Sequence, residues 1–192
     1  MFHRRTLLAS ALASSLPWPA WAQSSTGSSG KNSLTLGMAL EPPMLDPTVS
    51  AAAAIGEIVH YNLFETLTKI TPEGTVLPLL AQRWDVAPDS KTFTFHLRQD
   101  AQFHNGQPLT ADSVQFSFAR AASSTSTNKD KALFTQLKVT AKDRFTVVIE
   151  SAHSNPDLLF LLGQATAIIV EPQSAATNAT APVGTGPYRV QQ

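Results

Sequence analysis

The sequence predicts a mixed α/β fold, and three stretches support that prediction. Apolar and polar residues alternate over residues 92–98, which is the period of a strand buried on one face. The same alternation recurs at 145–149. Between them, residues 110–122 carry apolar side chains at helical spacing. Because helices and strands do not alternate strictly along the chain, we expect a mixed α/β layer with a mixed sheet rather than a doubly wound parallel sheet.

The part of the chain before these stretches indicates a leader, a short strand, a helix and a turn. Residues 23–32 are polar and rich in serine and glycine, which predicts a flexible leader. Residues 33–37 alternate like a half-buried strand, and two prolines soon after prevent its extension. Apolar spacing predicts a helix over 52–63, with the next four residues packed beside it. Proline and glycine then favour a turn at 71–74, followed by an extended segment or a loop.

The central strand and helix have clear boundary signals. Turn-forming residues at 88–90 and 104–106 bound the strand on either side. Thr110 suits the N-cap of the following helix, and Asp112 lies near the positive end of its dipole. We therefore expect that helix to begin at Thr110 and to end near Ala122.

The last third of the chain predicts shorter elements. Residues 123–130 are a polar loop, and the second alternating strand follows it. Asn155 is expected to cap a short helix that ends at Gly163 in a left-handed conformation. Residues 165–170 read as an apolar strand, and 174–181 as a loop of small residues.

The composition excludes several kinds of chemistry. The 192 residues include 14 basic and 14 acidic residues, 43% are hydrophobic, and there is no cysteine. Without cysteine there is no thiol nucleophile, cysteine-bound zinc, iron–sulfur cluster or lipid-modified cysteine. The neutral balance offers no basic surface for nucleic acid. Histidines stand singly, and the usual hydrolase and phosphate-loop motifs are absent, so we expect no cofactor, no metal and no enzymatic activity.

Residues 1–22 have the three parts of an export signal. Arg4 and Arg5 precede a short apolar stretch, and Ala20 and Ala22 form a small-x-small cleavage site. The apolar stretch is too short to span a bilayer core of about 30 Å. The arginine pair fits a twin-arginine signal or an ordinary charged start of a secretory signal. We expect export to the periplasm, cleavage after Ala22 and no lipid anchor.

Three sequence segments, taken in order, resemble one protein family. They are LTLGMALEPPMLDP at 34–47, the long run from YNLFETL to FSFARA at 61–121, and PVGTGPYRV at 182–190. Together they resemble the periplasmic solute-binding proteins of ABC importers for peptides, nickel chelates and related solutes, the family 5 type. Two positions depart from the family pattern: Asn105 stands where an aspartate is usual, and Ser113 where an acid is usual.

The resemblance implies an architecture. Family members are longer than this chain and have two lobes that close on the solute, a type II periplasmic-binding-protein fold with an extra subdomain. By resemblance, residues 33–192 are the N-terminal portion of such a protein, which suggests a truncated chain. Residues from about 52 to 181 would form the subdomain, and residues 184–192 would return to the first lobe. Half of a cleft should bind solute poorly.

The resemblance also implies a ligand-binding segment. The residues after the LDP sequence correspond to a segment whose backbone runs along the solute, where small side chains leave room for a variable ligand. An equal alternative is that these alanines simply begin the next helix. The candidate substrate-binding residues are Met44, Ser50, Ala51, Ala52, Ala53, Gln164, Ala165, Thr166 and Ala167.

The function that the resemblance implies is capture of peptide-like solutes for import. The expected partners are a peptide-like ligand and an ABC permease in the inner membrane, with the binding protein a monomer. The alternative is an exported binding or sensor domain for a non-peptide solute, such as a nickel chelate, a sugar or an opine. A hydrolase is the weakest alternative.

Overall fold

The structure of the chain is a computed structural model that describes residues 35–191. The chain divides between Gly37 and Met38 into two units, and every helix and strand described below lies in the second. The predicted export signal, the leader and the first two residues of the predicted strand at 33–37 lie outside the described residues.

Short helices and antiparallel strands make up the fold. In chain order they are α1 (Ala53–Val59), β1 (Thr68–Ile70), β2 (Val76–Pro78), β3 (Ala81–Val86), β4 (Thr92–Leu97), α2 (Ala111–Ala122), α3 (Lys131–Thr135), β5 (Leu137–Asp143), β6 (Thr146–Ser151) and α4 (Leu158–Leu161). Two single 3₁₀ turns follow, at Ala165–Ala167 and Ala175–Thr177.

The strands form two sheets. β1 and β2 pair as a hairpin, and the larger sheet has the order β3-β4-β6-β5. Every pair in residues 35–191 is antiparallel, although the sequence led us to expect mixed directions. Short connections join β3 to β4 and β5 to β6, and a short connection permits antiparallel pairing, whereas parallel pairing needs a long crossover.

One face of the larger sheet carries the main core. Phe93, Phe95 and Leu97 of β4 are fully buried, which confirms the predicted inner face of that strand. Helix α2 has Thr110 at its N-cap and ends at Ala122, as predicted. It packs on β5 and β6 through its apolar side, and its Phe118 ring lies 5.2 Å from the ring of Phe134 on α3.

A second, smaller core lies beside α1. It contains Ile55 and Val59 of the helix, Phe64 just after it, and Ile168 and Val170 from the later chain. Because Ile55, Val59 and Phe64 are completely buried, this cluster fixes α1 against the segment that follows α4.

Two predicted elements near the start of the described chain differ from the structure. Residues 35–37 are not a strand, and Leu36 is 74% exposed, because no described strand pairs with this segment. The helix predicted over 52–63 begins at Ala53 and ends at Val59. It stops there because Tyr61 has a φ of 60°, which is incompatible with a right-handed helix.

Two predictions in the last third were also wrong. Residues 165–170 form a 3₁₀ turn and an irregular buried segment rather than a strand, because they have no neighbouring strand to pair with in the described chain. Gly163 does not have a positive φ. A Cβ there would lie 2.8 Å from Cγ1 of Ile70, so glycine is needed at this position for close packing.

The expected turns at 71–74 and 104–106 are confirmed by glycines with a φ of 82° at Gly74 and Gly106. Strands β3 and β5 were not predicted. Both are edge strands, and β3 lacks the regular apolar alternation of β4. β5 does alternate, and its Leu137, Val139 and Ala141 are half-buried against the main core, so the sequence contained a signal for this strand. Among residues 35–191, no helix has the length and hydropathy needed to cross a membrane.

Candidate functional site

A buried ion pair fixes the loop that leads into α1. Asp46 is 1% exposed, and its carboxylate accepts hydrogen bonds of 2.6 and 3.2 Å from the guanidinium of Arg120 on α2. Arg120 also donates to the carbonyl of Ala175. The same carboxylate accepts from the Thr48 amide at 2.9 Å, which shapes the turn after Asp46. The LDP sequence is therefore anchored to α2 by charge.

The polar loop after α2 binds the carbonyl of Thr48, whose amide is bonded to Asp46. The Thr48 carbonyl accepts hydrogen bonds from the Thr127 amide at 3.0 Å and from the Ser126 hydroxyl at 3.3 Å. Since Thr48 is 4% exposed, these bonds satisfy a buried carbonyl that would otherwise be costly. The loop before α1 and the loop after α2 are thus joined at this point.

The residues that follow have free main-chain groups. Neither Ser50 nor Ala51 forms a hydrogen bond through its amide or carbonyl with another residue of the range 35–191. Ala52 is extended, with φ −64° and ψ 128°. Ala51, Ala52 and Ala53 are exposed. This stretch of main chain is available to pair with an extended ligand.

A rigid wall faces this segment. Asn128 is 4% exposed and donates from its amide nitrogen to the Thr166 carbonyl at 2.8 Å. The Thr166 hydroxyl donates to the Asp130 carboxylate at 2.6 Å. The carbonyl and the hydroxyl of Thr166 are thereby both held by the loop after α2. Helix α1 approaches the same turn closely at Gly56, where a Cβ would lie 3.3 Å from the Ala165 Cβ.

Between the segment and the wall lies a cavity of about 380 Å³, called the groove below. That volume falls within the roughly 300–1,000 Å³ typical of small-molecule sites. The groove is lined by Pro47, Ser50, Ala51, Ala52, Ala53, Gly56, Glu57, His60, Lys129, Ala165 and Thr166. The structure thus brings together six of the residues proposed from the sequence, from two regions more than a hundred positions apart.

The other three proposed residues lie elsewhere. Met44 is half-buried and packs against the smaller core, and Gln164 is half-buried outside the groove lining. Ala167 is completely buried in the main core, so it has no surface to offer a solute.

Five residues of the groove lining were not proposed from the sequence: Pro47, Gly56, Glu57, His60 and Lys129. Glu57 and His60 follow Ala53 at helical spacing, so the helix prediction contained the signal that could have placed them nearby. Lys129 belongs to the polar loop, and no sequence pattern relates that loop to residues 50–53.

His60 lines the groove and ties α1 to the later chain. Its Nε2 donates to the Gly163 carbonyl at 2.9 Å, and the Tyr61 hydroxyl donates to the same carbonyl at 2.7 Å. Burial lowers the pKa of His60, and the hydrogen bond to Gly163 only partly opposes that shift. The imidazole is therefore neutral at neutral pH.

A second cavity, of about 450 Å³, lies between β1 and the segment after Gly184. Two of its four charged lining residues, Arg98 and Asp100, pair with each other through hydrogen bonds of 2.9 and 3.1 Å. Burial raises the pKa of the Glu65 carboxyl in this cavity. We favour the groove as the ligand site, since its lining of small residues and unpaired main chain matches the requirements of an extended ligand.

Comparison with known families gives a match over most of the described chain. Residues 75–192 match the bacterial extracellular solute-binding proteins, family 5 middle. The periplasmic oligopeptide-binding protein OppA of Haemophilus influenzae is 35% identical over 117 residues, or 59% of this chain and 21% of that protein. The nickel-binding periplasmic protein of Escherichia coli is 30% identical over 138 residues, or 68% of this chain and 26% of that protein.

A solved structure shows the same architecture. The binding protein AgaA of A. tumefaciens R10, in complex with agropinic acid, superposes with a TM-score of 0.72 at 29% identity. The superposition covers 79% of this chain and 32% of AgaA. The α/β fold of this chain is therefore part of the fold of a periplasmic binding protein. The chain spans only a fifth to a third of the length of these relatives.

Proposed function

The chain belongs to family 5 of the bacterial extracellular solute-binding proteins, and from that premise we propose that its groove is part of the ligand site of an ABC importer's binding protein. The solute that we propose is a short peptide. The oligopeptide-binding relative supports this choice, and so does the main chain that the groove exposes.

One observation supports this proposal more than any other. The groove joins free main-chain groups at Ser50 and Ala51 to a lining in which five of the eleven residues are alanine or glycine. Main-chain hydrogen bonds give affinity for any peptide backbone, while small side chains leave space for different ligand side chains. A site with this division of roles suits a protein that takes up peptides of varied sequence.

The remaining parts of the proposal follow from the family. We propose that the protein acts in the periplasm as a monomer, delivers its ligand to a permease in the inner membrane and catalyses no reaction. We further propose that residues 52–181 are a subdomain and that residues 184–192 return to the first lobe, with the second lobe supplied by further sequence.

The test is peptide binding by the complete protein that contains this chain. Isothermal titration with di- and tripeptides should show binding, and Ala52→Trp should weaken it at least tenfold because the indole fills the groove. Ala152→Trp places the same side chain at an exposed position outside the groove and should leave affinity unchanged. Equal affinities for the two variants would contradict the proposal.

A non-peptide solute is the second candidate function, because two similar proteins bind other ligands by name. One is a nickel-binding protein, and AgaA was solved with agropinic acid. The same titration with a nickel–histidine chelate and with agropinic acid distinguishes the candidates. Binding of either of these with no binding of peptides would replace the peptide proposal with this one.

A further inference from the structure

One asparagine–glycine pair of the chain lies in an exposed turn. The sequence contains six asparagines, and only Asn105 precedes a glycine. Asn105 and Gly106 are both exposed, in the loop between β4 and α2. Gly106 has no side chain, so nothing on this residue blocks the approach of its nitrogen to the side-chain carbonyl carbon of Asn105. These two residues can therefore close a succinimide ring.

The other asparagines of the described chain lack one of these conditions. Asn128 and Asn178 are buried. Asn155 precedes a proline, whose nitrogen carries no hydrogen and cannot close the ring. Asn62 is exposed, but the side chain of Leu63 after it is buried, and its amide is hydrogen-bonded within the chain after α1. The exposed asparagine–glycine pair is therefore the one described candidate.

Two hydrogen bonds of the turn oppose ring closure in the folded protein. The Gly106 amide donates to the Phe103 carbonyl at 2.8 Å, and Oδ1 of Asn105 accepts from the Gln107 amide at 3.1 Å. Both bonds must open before the Gly106 nitrogen can attack. Exposed turns open in local fluctuations that cost less free energy than global unfolding. The folded protein should therefore react, but more slowly than an unstructured peptide.

We propose that Asn105 is a site of spontaneous deamidation in the folded protein. The nitrogen of Gly106 attacks Cγ of Asn105, and a new C–N bond forms. The bond from Cγ to Nδ2 breaks, and Nδ2 leaves as ammonia with the proton that the Gly106 nitrogen gives up. Water then opens the succinimide at either of its carbonyl groups. One opening gives aspartate, and the other gives isoaspartate, whose main chain runs through Cγ.

The new carboxylate faces an acid that is already buried. The side chain of Glu171 is 3% exposed. Burial raises the pKa of this carboxyl, but the hydrogen bonds that it accepts from Ser174, Gln173 and Asn105 lower its pKa below the ordinary value. Deamidation replaces the amide donor of Asn105 with a carboxylate. A favourable contact thereby becomes a repulsion between like charges.

Isoaspartate also disturbs a junction between distant segments. His104 donates its amide to the Gly184 carbonyl and its Nε2 to the Gly186 carbonyl, both at 2.8 Å. Isoaspartate at the next position adds a methylene group to the main chain directly after these bonds. We therefore expect the modified protein to hold the segment after Gly184 less tightly. This effect does not depend on which ligand the groove binds.

The experiment incubates the complete protein at pH 7.5 and pH 9 and maps its peptides by mass spectrometry. Residue 105 should gain about 1 Da and appear as two separable forms, aspartate and isoaspartate. The reaction should be faster at pH 9, because the attacking nitrogen must lose its proton. A synthetic peptide of residues 101–110 gives the rate without the fold. Asn105→Gln keeps an amide but requires a larger ring, so it should stay unmodified.

Two outcomes would overturn the proposal. One is an unmodified Asn105 in the folded protein under conditions that convert the peptide completely, since the turn then does not open. The other is aspartate without isoaspartate, since a succinimide yields both.

The contact with Glu171 is tested with Asn105→Asp, which introduces the aspartate product directly. Hydrogen exchange at the Gln173 and Ser174 amides, which Glu171 binds, should become about three- to tenfold faster. Gln136→Glu adds the same charge at an exposed position and should leave this exchange unchanged. Equal exchange in the two variants would overturn the repulsion assigned to Glu171.

Discussion

At the scale of single residues, the groove depends on buried polar groups that tie distant segments together. Asp46 and Arg120 are 74 positions apart, and their ion pair holds the loop before α1 against α2. The Asp46 side chain is 1% exposed, so its charge has almost no contact with water. Losing one partner of such a pair costs about 3–5 kcal/mol, because the other charge is left buried and unpaired. The position of Ser50 and the alanines after it rests on this contact.

His60 makes the stability of the protein sensitive to acid. Its pKa is lowered by burial, so the unfolded chain takes up a proton first as the pH falls below about 6.5. The contribution of the neutral His60 to the free energy of unfolding is therefore complete above that pH. It is lost as the pH falls toward the lower pKa of His60 in the folded state. We expect the free energy of unfolding to decrease over this window by at most about 1.4 kcal/mol per pH unit.

The measurement is urea unfolding between pH 5 and 7.5 for the wild type and His60→Gln. A glutamine amide can donate to the Gly163 carbonyl as the imidazole does, but it does not titrate. The variant should show the shallower pH dependence. His153→Gln, at an exposed loop position, should follow the wild type. Parallel curves for all three proteins would contradict the role given to His60.

At the scale of elements, the segment Gly184 to Tyr188 packs against the turn after α1. The Gly186 amide donates to the Leu63 carbonyl at 3.0 Å, and the Tyr188 amide to the Asn62 carbonyl at 3.0 Å. His104 joins them from the turn before α2, since its amide donates to the Gly184 carbonyl and its Nε2 to the Gly186 carbonyl, both at 2.8 Å. Three segments distant in sequence therefore meet without forming a sheet.

Glycine is required at this meeting point. A Cβ on residue 184 would collide with the Leu63 carbonyl oxygen and lie 2.7 Å from Cδ1 of Phe64. We expect Gly184→Ala to lower the free energy of unfolding by at least about 2 kcal/mol, within the roughly 1–3 kcal/mol typical of overpacking. The control is Gly37→Ala, where the added Cβ has no neighbour within 4 Å in the described chain. Equal urea midpoints for the two variants would contradict this packing argument.

The elements that could be predicted from sequence are those with a strong local signal. β4 alternates strictly and α2 has an N-cap and an apolar face, so periodicity and boundary residues sufficed. The edge strand β5 was missed although Leu137, Val139 and Ala141 alternate with polar residues, because that face is only half-buried and the alternation is short. The stretch 165–170 is apolar enough for a strand, but hydrogen bonds to Glu65 and Ser117 hold part of it instead of a neighbouring strand.

The candidate site, like the fold, was predicted only in part from the sequence. Ser50 and the alanines after it were proposed from the family resemblance, and the structure places them on one cavity with Ala165 and Thr166. Lys129 was missed because only tertiary hydrogen bonds, through Asn128 and Asp130, bring its loop to the groove. Ala167 was included because it neighbours those residues in sequence, yet its direction in the 3₁₀ turn buries it.

At the scale of the whole molecule, the groove lies beside the smaller core rather than the sheet. Its residues come from the loop before α1, from α1 itself, from the loop after α2 and from the turn after α4. The larger sheet contributes no residue to the lining, and it instead supports α2, whose Arg120 holds Asp46. Because the lining of the groove comes from four separate segments, the groove depends on correct folding of the entire unit. Binding and stability should therefore be measured together for every groove variant.

The proposed function requires that the protein leave the cytoplasm, and the sequence predicts how. The residues at −1 and −3 of a cleavage site must be small, whereas the residue between them is free. Ala22→Arg should therefore leave an uncleaved precursor, while Trp21→Arg adds the same charge at the tolerant position and should still be processed. Mass spectrometry of the periplasmic fraction should find Gln23 as the first residue of the wild type. Processing of Ala22→Arg at this same bond would contradict the predicted site.

Cleavage there also changes the charge of the protein. Of the 14 basic residues, Arg4 and Arg5 are removed, which leaves 12 against 14 acidic residues. The processed protein then has no excess of positive charge to hold it on an anionic membrane surface, so it should appear in the freely released periplasmic fraction. Retention of the processed protein on the membrane after a salt wash would contradict free diffusion to a permease.

Replacing Arg4 and Arg5 with lysine distinguishes the two export routes. A twin-arginine signal requires the arginine pair, so the variant would no longer be exported, whereas an ordinary secretory signal needs only positive charge, so export would continue.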